Sequence, residues 1–318
     1  MRASAQLRVG YFARTGRSHS RLEDCILIGN EAVVAPTPRP VTRRLTQPYP
    51  LGVAVFDGVG GHLRGHRASA VAACELAEDV RGFERGRATA ELPEALQRIS
   101  ALLNDERQQG GARSMGTTVA GILIDDDGAT GFNVGDSRVY VTRDRYLCAW
   151  SVDDVAVRSH ASGAITQCLG AGLEHVDPHI RPLVLDEGSA ALICSDGLYR
   201  HLSLDEIEGH LSRPEGLLRL FEATEGAADD VSVAFISVSA PSIATAAPAM
   251  SPAAADVQSR GVRASEPGTA SQANDTPALV SPSAGDEFQT PSSRKARSAR
   301  LGRLRQLASR ARQGDGRR

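Results

Sequence analysis

Apolar residues fall along this chain in runs of two periods. Residues 53–56 are a continuous apolar run ending in a glycine-rich turn, the pattern of a buried strand, and 5–13 and 25–28 also read as strands. Residues 65–80 carry apolar positions at helical spacing, and 91–108 repeat it through Leu92, Leu96, Ile99 and Leu103, so two successive helices are predicted. After Thr117 the period shortens again. Strands are predicted at 118–124, 131–134, 139–142 and 146–150, joined by turns at Asp125-Asp126-Asp127-Gly128 and Gly135-Asp136 into an antiparallel meander. Residues 151–172 are irregular and glycine-containing, which predicts a mobile flap, and 36–50 is a proline- and arginine-containing loop. Strands resume at 180–185 and 190–194, short helices at 204–211 and 215–223, and a last strand at 231–238.

Past Val238 the pattern stops. Residues 239–293 are rich in Ala, Pro and Ser and too poor in large apolar residues to bury a core, so they read as a disordered linker. Residues 294–318 hold ten basic groups and one acid, with Leu301, Leu304 and Leu307 spaced to share one helical face. A short amphipathic helix on a membrane or an acidic partner and an unstructured basic end both fit that pattern. One folded domain over 5–238 is therefore expected. With 318 residues, 41% of them hydrophobic, the chain can build a sizeable core, and no stretch approaches the length of a membrane span. The net charge of -2 conceals an acidic domain and a basic tail. Five widely spaced cysteines suggest reduced, buried thiols in a cytoplasmic protein, and neither a zinc knuckle nor a disulfide framework.

Candidate chemistry starts at Asp57, which ends the apolar run 53–56 and precedes a turn with Gly58, Gly60 and Gly61. The glycines allow positive φ and let a carbonyl or a phosphate approach closely. A dinucleotide fingerprint is rejected, because its third glycine would fall on Leu63 and Asp57 would repel a pyrophosphate. A divalent-cation site suits an Asp followed by an exposed carbonyl, whereas a tight turn with a solvated Asp would suffice if no other acids joined it. Others do: Glu23-Asp24, Asp136, Asp196-Gly197 and Asp229-Asp230 all stand at predicted strand ends, where a sandwich could gather them at one edge. Hard cations accept such an oxygen set, and no His or Cys cluster argues for zinc. The three aspartates at 125–127 are read as a hairpin tip, since no twelve-residue calcium loop with a closing Glu follows.

Glu23-Asp24, Phe56-Asp57-Gly58-Val59-Gly60-Gly61-His62, Gly116-Thr117-Thr118, Asn133-Val134-Gly135-Asp136-Ser137-Arg138, Ile165-Thr166-Gln167-Cys168-Leu169-Gly170, Ser195-Asp196-Gly197-Leu198 and Asp229-Asp230-Val231-Ser232-Val233 come in an order and spacing that resembles the type 2C (PPM) metal-dependent protein serine/threonine phosphatases, bacterial type. The resemblance covers about residues 5 to 238. It implies an α+β, four-layer α-β-β-α sandwich with two central antiparallel sheets and a two-ion Mn2+ or Mg2+ centre at one edge. In that picture Asp57 bridges the ions, the Gly58 carbonyl holds one, Asp196 and Asp229 hold the other, and Glu23 and Asp24 act through waters. Asp136 with Asp196 would serve the third ion of bacterial members.

The implied reaction is hydrolysis of phosphoserine or phosphothreonine by a metal-activated water, with no covalent phosphoenzyme. The implied partners are phosphorylated proteins and a cognate kinase; no nucleic acid is expected, and a monomer is. Three positions depart from the family. His19, flanked by Arg17 and Arg21, stands where the phosphate-binding Arg is usual, and if the segment is extended all three share a face. Val59 replaces a histidine acid of some members, with His62 as another proton donor or a bystander. Asp230 replaces the usual Asn, where it either raises metal affinity or points to solvent. These departures motivate the alternative of a weakly active or inactive relative that binds or scaffolds phosphoproteins.

Overall fold

The computed structural model describes residues 6–46, 50–59, 63–110, 114–144, 146–156 and 164–239. In chain order the elements are β1 (Gln6–Arg14), β2 (Cys25–Gly29), β3 (Glu31–Val33), β4 (Val41–Leu45), β5 (Leu51–Phe56), β6 (Gly58–Val59), α1 (Leu63–Gly82), α2 (Ala88–Gln109), β7 (Gly116–Thr117), β8 (Val119–Asp125), β9 (Gly128–Val134), β10 (Arg138–Arg143), β11 (Tyr146–Ala149), β12 (Leu169–Gly170), β13 (His179–Leu183), β14 (Ala190–Cys194), α3 (Asp196–His201), α4 (Leu204–Leu211), α5 (Gly216–Ala223) and β15 (Val231–Ser239). They form two six-stranded antiparallel sheets, β11-β10-β14-β15-β1-β4 and β13-β9-β8-β5-β2-β3, and a small sheet β12-β7-β6.

Strand β5 shows why the apolar runs are continuous. Successive side chains alternate faces, so Val53 and Val55 enter the core between the sheets with Val9, Ile26, Ile122, Ile193 and Ile236. Ala54 and Phe56 point the other way, against Ala72 and Leu76 of α1 and Leu96 and Ile99 of α2. On the far side Phe12, Leu192 and Val233 pack with Leu198, Ile207 and Leu220 of α3, α4 and α5. Three apolar layers thus separate four structural layers, the expected α-β-β-α sandwich.

Several local expectations change. The predicted meander is split, because β9 pairs with β8 in one sheet while β10 pairs with β14 in the other. The chain crosses between sheets at Gly135, whose φ of 101° is open to glycine at little cost. The loop 36–50 contains β4, an edge strand with exposed Arg43 and Arg44. The Asp125–Gly128 pair closes a two-residue hairpin as expected, and Asp125 also accepts the N–H groups of Gly86 at 2.8 Å and Ala88 at 3.2 Å, at the start of α2. In 151–172 a bridge joins Val155 to Ile165, and β12 pairs with β7. The middle of the expected flap, 157–163, lies outside the described residues, as do the basic tail and the linker from 240 on; Ser239, the first residue of the expected linker, ends β15.

Candidate metal centre

Strand register brings five acidic segments to one end of the sandwich. Cys25 at the start of β2 pairs with Phe56 at the end of β5. Arg138 at the start of β10 pairs with Cys194 at the end of β14, which pairs with Val233 near the start of β15. Glu23-Asp24, Asp57, Asp136, Asp196 and Asp229-Asp230 are the residues just beyond these paired ends.

The backbone around Asp57 is fixed on several sides. Its carbonyl accepts the Thr118 N–H and the Thr117 hydroxyl, both at 2.8 Å, and its N–H donates to Thr118 Oγ1 at 3.2 Å. Thr118 Oγ1 is in turn 2.7 Å from Ser137 Oγ, beside Asp136. Gly58 is a strand residue without positive φ, so the conformational freedom expected of it is not what the site uses. It is required for closeness: a Cβ there would run into the backbone of Gly65 in α1 and the carbonyl of Glu23. Gly60, Gly61 and His62 lie outside the described residues.

Burial and mutual repulsion shift the titration of these acids. Burial, then the charges of Asp24, Asp196, Asp136 and Asp229, push the Asp57 carboxyl well above the usual carboxylate range. Burial and the Asp230 charge push Asp24 up likewise. Asp136 is raised to about 6 by burial and by Asp196. Burial also raises Asp196, opposed first by Arg200, while Asp229 adds to the rise.

Asp24 Oδ2 and Asp136 Oδ1 are buried without a hydrogen-bond partner. Among the described residues no three of these groups close tightly enough on one point to enclose an ion as they stand. What they supply is hard oxygen donors, orphaned lone pairs and a repulsion that Arg200 and His19 offset only in part, all of which a divalent cation would satisfy. The donor set fits Mn2+ or Mg2+.

The segment 15–24 is turned, not extended: the His19 N–H donates to the Gly16 carbonyl at 3.0 Å. Arg17, His19 and Arg21 therefore do not share a face. His19 is the one that meets the acids, with Nδ1 3.1 Å from Asp230 Oδ1 and 3.6 Å from Asp229 Oδ1. Burial works to lower its pKa, but Asp230, then Asp229 and Glu23, hold it above 6.5. Arg17 is exposed, its N–H bonded to the Ala227 carbonyl at 3.0 Å. Arg21 is exposed near His66 of α1, whose pKa is lowered by burial and then by that arginine.

Asp230 does not point to solvent. It is 2% exposed and accepts the N–H of Gly16 at 2.8 Å and of Glu23 at 2.5 Å, clamping the acid-bearing segment to the start of β15. Glu23 is further held through its carbonyl, which accepts the Ser69 hydroxyl at 2.5 Å. Sequence reasoning missed Arg200, whose guanidinium lies 2.9 Å from Asp196 and 3.1 Å from Asp136; its signal was the four-residue spacing from Asp196. Cys194 and Cys25 are buried thiols whose pKa values burial pushes up, and neither resembles a nucleophile.

Comparison with known proteins agrees with this geometry. The protein phosphatase 2C family profile matches residues 43–234. The serine/threonine protein phosphatase PstP of Mycobacterium tuberculosis is 29% identical over 178 residues, 51% of this chain and 34% of PstP. The protein phosphatase PhpP of Streptococcus pneumoniae is 27% identical over 215 residues, 58% of this chain and 85% of PhpP. The solved catalytic domain of PstP in complex with two manganese ions superposes with a TM-score of 0.59 at 25% identity, covering 74% of this chain and all of that one.

Proposed function

The chain belongs to the protein phosphatase 2C family, and from that premise we propose that it hydrolyses phosphoserine and phosphothreonine on proteins at the acidic edge of the sandwich, with Mn2+ or Mg2+ as cofactor. The observation that carries the reading is that strand register brings Asp24, Asp57, Asp136, Asp196 and Asp229, from five strand ends, to one edge of the sandwich. Asp57, Asp196 and Asp229, with the Gly58 carbonyl, are the proposed metal ligands. Glu23 and Asp24 would act through water, and Asp136 completes the acidic set. Divalent ions held there supply Lewis acidity, which acidifies water and neutralises phosphoryl charge.

The protein's own contribution is placement. Thr117 and Thr118 fix the Asp57 backbone, and Asp230 fixes the loop that carries Glu23 and Asp24. His19, whose pKa its acidic neighbours raise, is proposed to meet the phosphoryl oxygens or to protonate the leaving serine oxygen, and the exposed Arg17 and Arg21 are proposed as further phosphate ligands. His62 is proposed as a second proton donor. Phosphoproteins modified by a cognate serine/threonine kinase are the proposed substrates, acted on by a monomer in the cytoplasm. The five unpaired cysteines support that compartment. No feature of the site favours a scaffold without activity.

Substitution of Asp57 tests the reading. Asp57→Asn should lower turnover of a phosphothreonine peptide by ~10³-fold or more, since several kcal/mol of transition-state stabilisation pass through the metal site. Near-normal turnover in a folded Asp57→Asn protein would refute it.

A further inference from the structure

Helix α3 opens with Asp196, so Arg200 returns one turn later on the same side. Its guanidinium is not confined to that helix. One nitrogen lies 2.9 Å from Asp196 Oδ2 and the other donates to Asp136 Oδ2 at 3.1 Å. A single planar cation therefore spans two carboxylates that arrive from the β9–β10 crossing and from the end of β14. Asp136 is 1% exposed, and its backbone carbonyl accepts the Tyr199 hydroxyl at 2.9 Å. The Tyr199 ring is covered in turn by Arg138, 3.6 Å from the ring centroid. This arm of the site is a packed assembly with its own positive charge.

Asp136 and Asp196 repel each other, and Arg200 opposes that repulsion at both. Among the described residues no Lys or Arg is paired with Asp24 or Asp57, so that arm has no such compensation. A divalent ion between Asp136 and Asp196 would have to compete with the guanidinium for Oδ2 of both carboxylates or make do with the remaining Oδ1 atoms, and in either case it would stand close to a like charge.

We propose that Arg200 is the resident cation of the Asp136–Asp196 arm, so that this chain binds divalent ions on the Asp57 side of the site and takes none between Asp136 and Asp196. The inference rests on the metal-dependent reading given above. It replaces the third ion that the family resemblance assigns to that pair with a tethered charge that does not depend on metal concentration.

Counting bound metal tests it. Purified full-length chain, equilibrated with Mn2+ and measured by equilibrium dialysis with elemental analysis, should hold about two ions. Arg200→Ala and Arg200→Gln should each gain a further, weaker site, giving about three, while Arg200→Lys stays near two. Asp136→Asn in the otherwise unchanged chain should leave the count near two, and added to Arg200→Ala it should remove the gained site. Circular dichroism checks that each variant is folded; Arg200 is half exposed and carries no core contact to lose.

A wild-type count near three would overturn the proposal, as would no gain in either neutral Arg200 variant. A fall to about one in Asp136→Asn would also overturn it, by making Asp136 a ligand of a retained ion. No bound metal at all in the wild type would instead remove the metal-dependent reading, and the proposal with it.

Discussion

Asp230→Ala removes a carboxylate that accepts two buried backbone N–H groups, Gly16 at 2.8 Å and Glu23 at 2.5 Å, and leaves both donors without a partner. Each unsatisfied buried donor costs about 1–3 kcal/mol. Asp230 also raises the Asp24 carboxyl, so its removal relieves some repulsion, and a net loss near 3 kcal/mol is expected. For a domain of this size that corresponds to a fall in Tm of about 6–12 °C. Asp230→Asn keeps one acceptor oxygen but turns an amide N–H toward the second donor, so it should recover only part of the loss. Urea denaturation in chelator, followed by circular dichroism, separates this effect from metal binding. Activity should fall with stability, because the clamped segment carries Glu23 and Asp24. If Asp230→Ala stays within about 0.5 kcal/mol of wild type, the clamp is not what holds the segment.

Other outcomes follow from the same geometry. Gly58→Ala should cost about 1–3 kcal/mol and most of the activity, since its methyl would push α1 away from the Glu23 segment; an active variant with unchanged Tm would contradict that packing. In the metal-free protein the Asp136 carboxyl is raised from 3.8 to about 6, so the native state binds the extra proton. Stability is then lost as pH rises from about 4 through 6, by about 3 kcal/mol at most from this group, and Asp57, Asp24 and Asp196 act in the same direction. Thermal unfolding with and without Mn2+ should show a larger metal-induced gain in Tm at pH 7 than at pH 5; an equal gain would contradict the buried-repulsion argument.

The parts legible in the sequence are those with strong local periodicity. The β5 run from Leu51 to Phe56 is apolar throughout because both its faces are covered, so it and the Asp57 that ends it are visible without a structure. The acidic strand ends could be identified one by one. Their meeting could not be derived from spacing, since it depends on strand register such as Cys25 opposite Phe56. Edge strand β4 was hidden because Thr42, Arg43 and Arg44 face solvent and break the apolar pattern. The sheet change at Gly135 looks locally like any hairpin turn, because alternation reports faces and not which sheet a strand joins. Helix α3 is six residues long, too short to show a period, and with it went the i,i+4 pairing of Asp196 and Arg200. Asp230 shows the same limit in another form: its role is fixed by Gly16 and Glu23, more than 200 residues away in the chain.

The central claim is that hydrolysis depends on divalent metal held by these carboxylates. Its most direct measurement is turnover of a phosphothreonine peptide by the purified chain, first in excess chelator and then with Mn2+ or Mg2+ restored. Activity should be lost in chelator and return on adding the ion, with no return in Asp57→Asn. Full turnover in chelator, or equal rescue of Asp57→Asn, would contradict it.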